Sequence, residues 1–204
     1  EEHAGLILMY WDPDGGAEPA WRVPHLIPFG SPEWTAPNWK TYELESHPQE
    51  LMENAVDIHH FKHLHKWPVA EDVERTVDGP VFKMLTRFRP KDKSAGRDGC
   101  VSTSHFGLGL TYTHTERAGV EGVTVSAVTP VEDERVEVRF GVAVKRLADA
   151  DRTAQYLASM SETAFEYAAQ DVVILTHKAY IDRPPLTESE RGIGIHREWA
   201  RQFY

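Results

Sequence analysis

Residues 136–145, VEVRFGVAVK, alternate side chains so that Val136, Val138, Phe140, Val142 and Val144 share one face, with Glu137, Arg139, Gly141 and Lys145 on the other. A period of two over that length specifies a β-strand with one buried side. The same period extends over residues 80–146, broken by turn residues at 91–99, 118–122 and 130–133. It predicts an antiparallel sheet with a core on the valine side and an opposite face that is wet or covered. Asp149 or Asp151 then caps a long helix on which Leu157, Met160, Ala164, Ala168 and Asp171 fall within about 80° of one another. An apolar stripe thus ends in a carboxylate. A buried Asp171 must be paired or bound to metal, because an isolated ionised carboxylate in an apolar site costs several kcal/mol or more. The other reading puts Asp171 at a frayed helix end in solvent. A sheet followed by a long helix, with a shorter helix before it, is an α+β arrangement.

Ahead of the sheet, GLILMYW has the length of a strand and stops at the turn-rich DPDGGAEP. Residues 20–38 hold four prolines and three tryptophans nearby, which predicts an irregular segment pinned to the surface by aromatic rings. Residues 39–45 alternate as a strand. The formal net charge of -10 and the absence of a Lys/Arg run argue against a nucleic-acid partner. No apolar run reaches the roughly 18 to 20 residues that span a bilayer, so a cytoplasmic protein is expected.

The chemistry gathers in QELMENAVDIHHFKHLHKW, residues 49–67. Ser46 with Gln49 three residues later and Pro48 in the first turn is a capping-box signature, and Pro68 marks the predicted helix end. On such a helix Asn54 lies one turn before Asp57, where its amide can hydrogen-bond the carboxylate or orient a ligand. Asp57 in turn neighbours His60. Two metal pairings compete. His59 and His63, four apart, share a face as in a zinc helix. His60 and His65, five apart, lie about 140° from one another and converge only if the helix bulges or breaks. Two imidazoles with a distant carboxylate make the facial triad of non-haem Fe(II) oxygenases. Periodicity alone prefers His59 and His63. His105 and His114 fall in the sheet and read as satisfied core or surface residues. Trp199, Phe203 and Tyr204 form an aromatic tail that reads as packing, within or between subunits.

Two separated motifs resemble one family. The run ENAVDIHHFKHLH is similar to the DxxHxxxxH iron motif of Rieske-type ring-hydroxylating oxygenases. QDVVILTHKAYIDRPPL followed by REWARQFY resembles the carboxyl end of the 3-ketosteroid 9α-hydroxylase and cholesterol 7-desaturase branch. The resemblance implies a helix-grip (START-like) fold, with a curved sheet around the long helix and an apolar cavity. It implies that His60, His65 and Asp171 hold a mononuclear Fe(II). Asp57 would bridge a ligand histidine to the Rieske histidine of a neighbouring subunit in a homotrimer. The implied reaction uses O2 to hydroxylate or desaturate a steroid or similar polycyclic lipid. Electrons would come from NAD(P)H through a ferredoxin reductase-type donor and a [2Fe-2S] cluster.

That cluster needs two Cys and two His ligands, and the chain has Cys100 alone, which reads as a buried structural thiol. The cluster is therefore expected on a Rieske domain outside this chain. Residues 1–20 would be the end of that domain, and 1–204 otherwise a single catalytic domain that does not turn over by itself. Two rival readings make different predictions. A non-catalytic helix-grip lipid-binding module would hold no stoichiometric iron, and a zinc hydrolase would use His59 and His63.

Overall fold

Seven antiparallel strands form one sheet, and the alternation within each strand decides what its two faces meet. The computed structural model describes residues 1–204 except 4, 11–14, 27, 68–69 and 89–97, and for 70–72 the backbone alone. A short hairpin of β1 (Glu2–His3) and β2 (Leu6–Ile7) comes first. The sheet comprises β3 (Asn38–Glu45), β4 (Ala70–Asp78), β5 (Val81–Phe88), β6 (Gly99–Phe106), β7 (Leu110–Arg117), β8 (Val120–Glu132) and β9 (Arg135–Val144). Their order is β3-β9-β8-β7-β6-β5-β4. Among the described residues the α-helices are α1 (Pro48–Asn54), α2 (Ile58–His63), α3 (Ala150–Leu175) and α4 (Arg191–Ala200).

The valine face of β9 is buried as its period requires. Val136 and Val138 pack with Leu44, Met52 and Leu175, while Val142 and Val144 are fully buried. The long helix α3 lies over this face. Asp149 caps it, its Oδ1 accepting the Arg152 amide at 2.9 Å. Tyr42 donates to the Phe165 carbonyl at 2.9 Å, and Asn38 Nδ2 donates to Ser161 Oγ at 3.0 Å. These two bonds tie the middle of α3 to β3. At Gly122 the helix approaches the sheet so closely that a Cβ would collide with Met160 Sδ.

The opposite face is covered rather than wet over much of its area. Val123, Val125, Ala127 and Ala143 are buried there beneath Leu6, Leu26, Phe29 and Trp34. The proline-rich stretch 20–38 is thus the second layer of the domain, pinned by its aromatic residues as its composition predicts. The outer end of β9 stays in solvent, with Arg139 Nε donating to Glu137 Oε1 at 2.8 Å.

Several sequence expectations need correction. GLILMYW is not a strand: only Leu6–Ile7 pair, and Ile7 and Met9 are 88% and 82% exposed. Residue 11 and the turn residues 12–14 lie outside the described residues. The proposed turn at 91–99 also lies outside them up to residue 97. The turn between β7 and β8 is at Ala118 and Gly119, both with positive φ as a two-residue hairpin requires. β8 does not stop at Pro130 but continues to Glu132, turning at Asp133 and Glu134. The pairing of β7 with β8 ends at Ala127, so at Pro130 the strand has only β9 beside it, and its missing N–H breaks no ladder. β4 lies outside the period read from the sequence. Trp199 packs against Phe82, His105 and His196 within this chain. Cys100 is half-buried on β6. Among the described residues no helix is long and apolar enough to cross a membrane.

Candidate metal centre

The helix expected over residues 46–67 is two short helices with a break between them, and the break builds the site. Ser46 is not the cap: His47 is extended, and its Nδ1 accepts the Gln49 amide at 3.2 Å. After Asn54 the chain leaves the helix and buries Val56. It re-enters at Asp57, whose Oδ1 accepts the His59 amide at 2.9 Å as the N-cap of α2. Asp57 is a natural residue there, since its short carboxylate satisfies an orphan amide. α2 ends at His63, and Lys66 has φ 58, so His65 lies beyond the helix in a turn. The 140° that separated His60 from His65 on an ideal helix therefore does not apply. Pro68, the expected stop, lies outside the described residues.

Asp171 approaches from α3, which continues past it to Leu175, so it is not at a frayed end. His65 Nε2 lies 3.2 Å and His60 Nε2 3.9 Å from Asp171 Oδ1, with Asp171 16% exposed at its side chain. All three donor atoms fall within 4.8 Å of one another. Each imidazole is held from behind. His60 Nδ1 donates to the Asp57 carbonyl at 2.6 Å, and His65 Nδ1 donates to Gln170 Oε1 at 3.1 Å. An acceptor behind each Nδ1 puts the proton of the neutral ring there and turns a lone pair at Nε2 toward Asp171. The His65 ring also stacks on Tyr167 with centroids 4.4 Å apart.

The electrostatics follow from the burial. Burial holds His60 below the ordinary imidazole value, against the opposing charge of Asp171. Burial also lowers His65, but the Asp171 carboxylate beside it, aided by Gln170, outweighs that and leaves His65 raised. His60 Nε2 and Asp171 Oδ1 are buried without a hydrogen-bond partner. Unpartnered buried polar atoms are costly and need an explanation. A cation with bonds of about 2.1 Å and ligands near 90° apart would set its donor atoms about 3 Å from one another. The three residues present fit such an ion in donor type and tautomer, and the two Nε2 atoms, 3.2 and 3.9 Å from Asp171 Oδ1, stand slightly wider than that spacing.

Beside this cluster a cavity of about 670 Å³ runs between the sheet and α3, lined by Asn54, Phe61, His65 and Asp171 at one end and by Tyr156, Met160 and Arg117 at the other. Asn54 faces the cavity and, among the described residues, makes no side-chain hydrogen bond to Asp57, so of the two roles expected of its amide the bond to that carboxylate is not formed. The Asp57 carboxylate is likewise not on the His60 ring; its backbone carbonyl is. His59 and His63 are exposed, and His59 Nε2 sits 3.2 Å from the Ser189 carbonyl. Among the described residues no third ligand joins them, and the one cluster of potential metal ligands is His60, His65 and Asp171. His105 is fully buried against His196 at 3.2 Å, a core residue as expected. Gln170 and Tyr167 were not singled out from sequence. Gln170 is adjacent to Asp171, about 100° around the helix, so only the position of His65 makes it a partner.

The broad antiparallel sheet covered by the long helix α3 is a fold that this chain shares with solved monooxygenases. Dicamba monooxygenase bound to dicamba shares this fold with a TM-score of 0.71 over 91% of this chain and 63% of that chain, at 12% identity. Residues 9–204 match the family described as 3-Ketosteroid 9alpha-hydroxylase C-terminal domain, and the chain belongs to that family. A 3-ketosteroid-9-alpha-monooxygenase oxygenase component of Rhodococcus rhodochrous is 28% identical over 98% of this chain and 54% of its own length. Cholesterol 7-desaturase nvd of Xenopus laevis is 26% identical over 98% of this chain and 49% of its own. The chain thus spans about half the length of these curated relatives.

Proposed function

We propose that this chain is the catalytic part of a Rieske-type monooxygenase that binds one Fe(II) through His60, His65 and Asp171 and oxidises a steroid or similar polycyclic lipid in the adjoining cavity. The observation that carries the reading is the convergence of His60 Nε2, His65 Nε2 and Asp171 Oδ1 beside an apolar cavity of about 670 Å³. Iron held there would supply the activation of dioxygen next to the substrate, leading to hydroxylation or desaturation. Electrons would reach it from NAD(P)H through a ferredoxin reductase-type donor and a [2Fe-2S] cluster, which Cys100 alone cannot hold.

The chain's own residues have separable tasks. The Asp57 carbonyl and Gln170 fix the tautomer and direction of the two rings, as outer hydrogen-bond partners do in metal sites. Phe61 and Tyr167 flank the rings and keep bulk water from them. Asn54, projecting into the cavity near the centre, orients ligand or substrate. The Asp57 carboxylate has one oxygen on the His59 amide, so Oδ2 is left for a Rieske histidine of a neighbouring subunit in a homotrimer. The curved helix-grip container would select the carbon oxidised.

Metal loading tests the centre directly. His60→Ala, His65→Ala and Asp171→Ala should each abolish stoichiometric Fe(II) binding after anaerobic loading, while His59→Ala and His63→Ala retain it. Iron kept by the His60→Ala protein would sink the assignment, and zinc lost on His63→Ala would favour a zinc site on the exposed pair.

A further inference from the structure

The two imidazoles of the centre have different ring neighbours. His60 lies against Phe61 with centroids 4.1 Å apart, while His65 stacks on Tyr167 at 4.4 Å with the planes 25° apart. Tyr167 stands one helical turn before Asp171, so it shares the face of α3 that carries the carboxylate. Beyond Tyr167 the next ring is Trp67, at 6.1 Å. The positive φ of Lys66 turns the chain back after His65, and the Trp67 amide donates to the Phe61 carbonyl at 2.9 Å. The indole stacks on Phe61 at 5.2 Å and meets Phe88 edge-on at 5.2 Å. Trp67 is half-buried, so the row His65, Tyr167, Trp67 leads from the centre to a ring that solvent reaches.

Packing alone does not require this order. His60 receives a plain apolar ring from Phe61, and phenylalanine would stack on His65 as well as tyrosine does. Instead the two rings in line from His65 are a phenol and an indole, the aromatic side chains that give up an electron most readily. Phe61 and Phe88 beside them do not. The indole at the other imidazole pair is different in kind: Trp199, against His105 and His196, is 4% exposed and donates its N–H to the Gly79 carbonyl at 2.9 Å. Among the described residues the Trp67 N–H makes no hydrogen bond.

Resting on the assignment of Fe(II) to this centre, we propose that Tyr167 and Trp67 form an electron relay. It protects the ligand histidines when hydrogen peroxide, the two-electron reduction product of dioxygen, meets the iron with no substrate to oxidise. Tyr167 gives one electron to the centre and its phenolic proton to cavity water. Trp67 then returns an electron to Tyr167, which regains a proton, and the indole N–H proton passes to solvent. A dissolved reductant such as ascorbate restores Trp67 with one electron and one proton. Two such electrons, with two protons, convert one peroxide into two waters and leave the iron as it began.

The test uses the 204-residue protein loaded anaerobically with Fe(II), its iron content measured first, and then given one equivalent of hydrogen peroxide. Peptide mass spectrometry should find added oxygen on Trp67 ahead of the remaining tryptophans, with His60 and His65 intact, and ascorbate should prevent it. In Tyr167→Phe, which keeps the stacked ring, Trp67 modification should fall to the level of the metal-free protein and oxidation should move to His60 and His65. In Trp67→Phe, freeze-quenched electron paramagnetic resonance should show a tyrosyl radical where the wild type shows a tryptophanyl one. Equal Trp67 modification in wild type and Tyr167→Phe, or in loaded and metal-free protein, overturns the relay while the centre stands. So does a tryptophanyl signal that persists in Trp67→Phe, or modification of His60 and His65 in the wild type with Trp67 spared. A wild-type protein that binds no Fe(II) overturns the assignment of the centre, and the relay with it.

Discussion

Two clusters of buried charged and polar groups lie a few residues apart in the chain and are built on opposite principles. In the first, Glu50 and Glu53 of α1 are 0% and 2% exposed, and cations from other elements meet them. Arg197 of α4 reaches Glu50 Oε1 at 2.9 Å and Glu53 Oε1 at 2.7 Å, and Lys178, just after α3, pairs with Glu50 Oε2. Gln49 donates to Glu53 at 2.7 Å and accepts from Tyr204 at 3.1 Å. Two carboxylates and two cations cancel. In the second cluster Asp171 meets two imidazoles whose protons are committed elsewhere, and three donor atoms face one another with no Lys or Arg among them. Charge compensated inside the chain fastens helices together; donors aimed at one point without compensation fit an ion from outside. A third pair, His105 and His196, is intermediate, with one hydrogen bond and no charge.

The largest effect should come from breaking the first cluster. Arg197→Met leaves two buried carboxylates with only the half-exposed Lys178, and should cost about 3–5 kcal/mol in urea unfolding. A loss under 1 kcal/mol would mean that solvent reaches Glu50 and Glu53. The metal content of the folded fraction should change little, which separates fastening from binding.

The His105 and His196 pair predicts the acid limit. Burial lowers His105 to about 3 and His196 well below its ordinary value, the latter with help from the charge of Arg197. Below about 6.5 the unfolded chain gains protons on these rings that the folded chain does not, so stability is complete above that pH and is lost as pH falls through the window toward 3. The two rings together should remove about 2–3 kcal/mol by about pH 5.5. Replacing both, as in His105→Phe/His196→Leu, should flatten that slope. An unchanged slope would assign acid unfolding to other groups.

The smallest change sharpens the second cluster. Gln170→Leu removes the acceptor behind His65 without touching a donor atom aimed at the centre. Fe(II) affinity should fall about 10- to 100-fold, while the unfolding free energy of the metal-free protein moves by less than about 1 kcal/mol. An affinity equal to wild type would show that stacking on Tyr167 orients His65 alone.

The sheet was legible in residues 80–146 because a one-sided period-two pattern leaves a strand no other way to bury its valines, and Asp171 was legible because it closes an apolar stripe on a helix of ordinary period. These rest on local properties of the chain: alternation, a helix start at Asp149 or Asp151, and the charged groups available to each segment. Tertiary structure decided which histidines converge. His59 with His63 was the better pair on an unbroken helix, and the break at Asp57 and the turn at Lys66 exist because Val56 is buried and Asp57 caps a second helix, neither of which a helical period records. It also decided that Glu50 and Glu53, surface residues by composition, are buried, since Arg197 and Lys178 reach them from more than a hundred residues away. Gln170 became the partner of His65 for the same reason. Contacts made by long-range packing have no period in the sequence, so the chemistry of the site was readable there and its geometry was not.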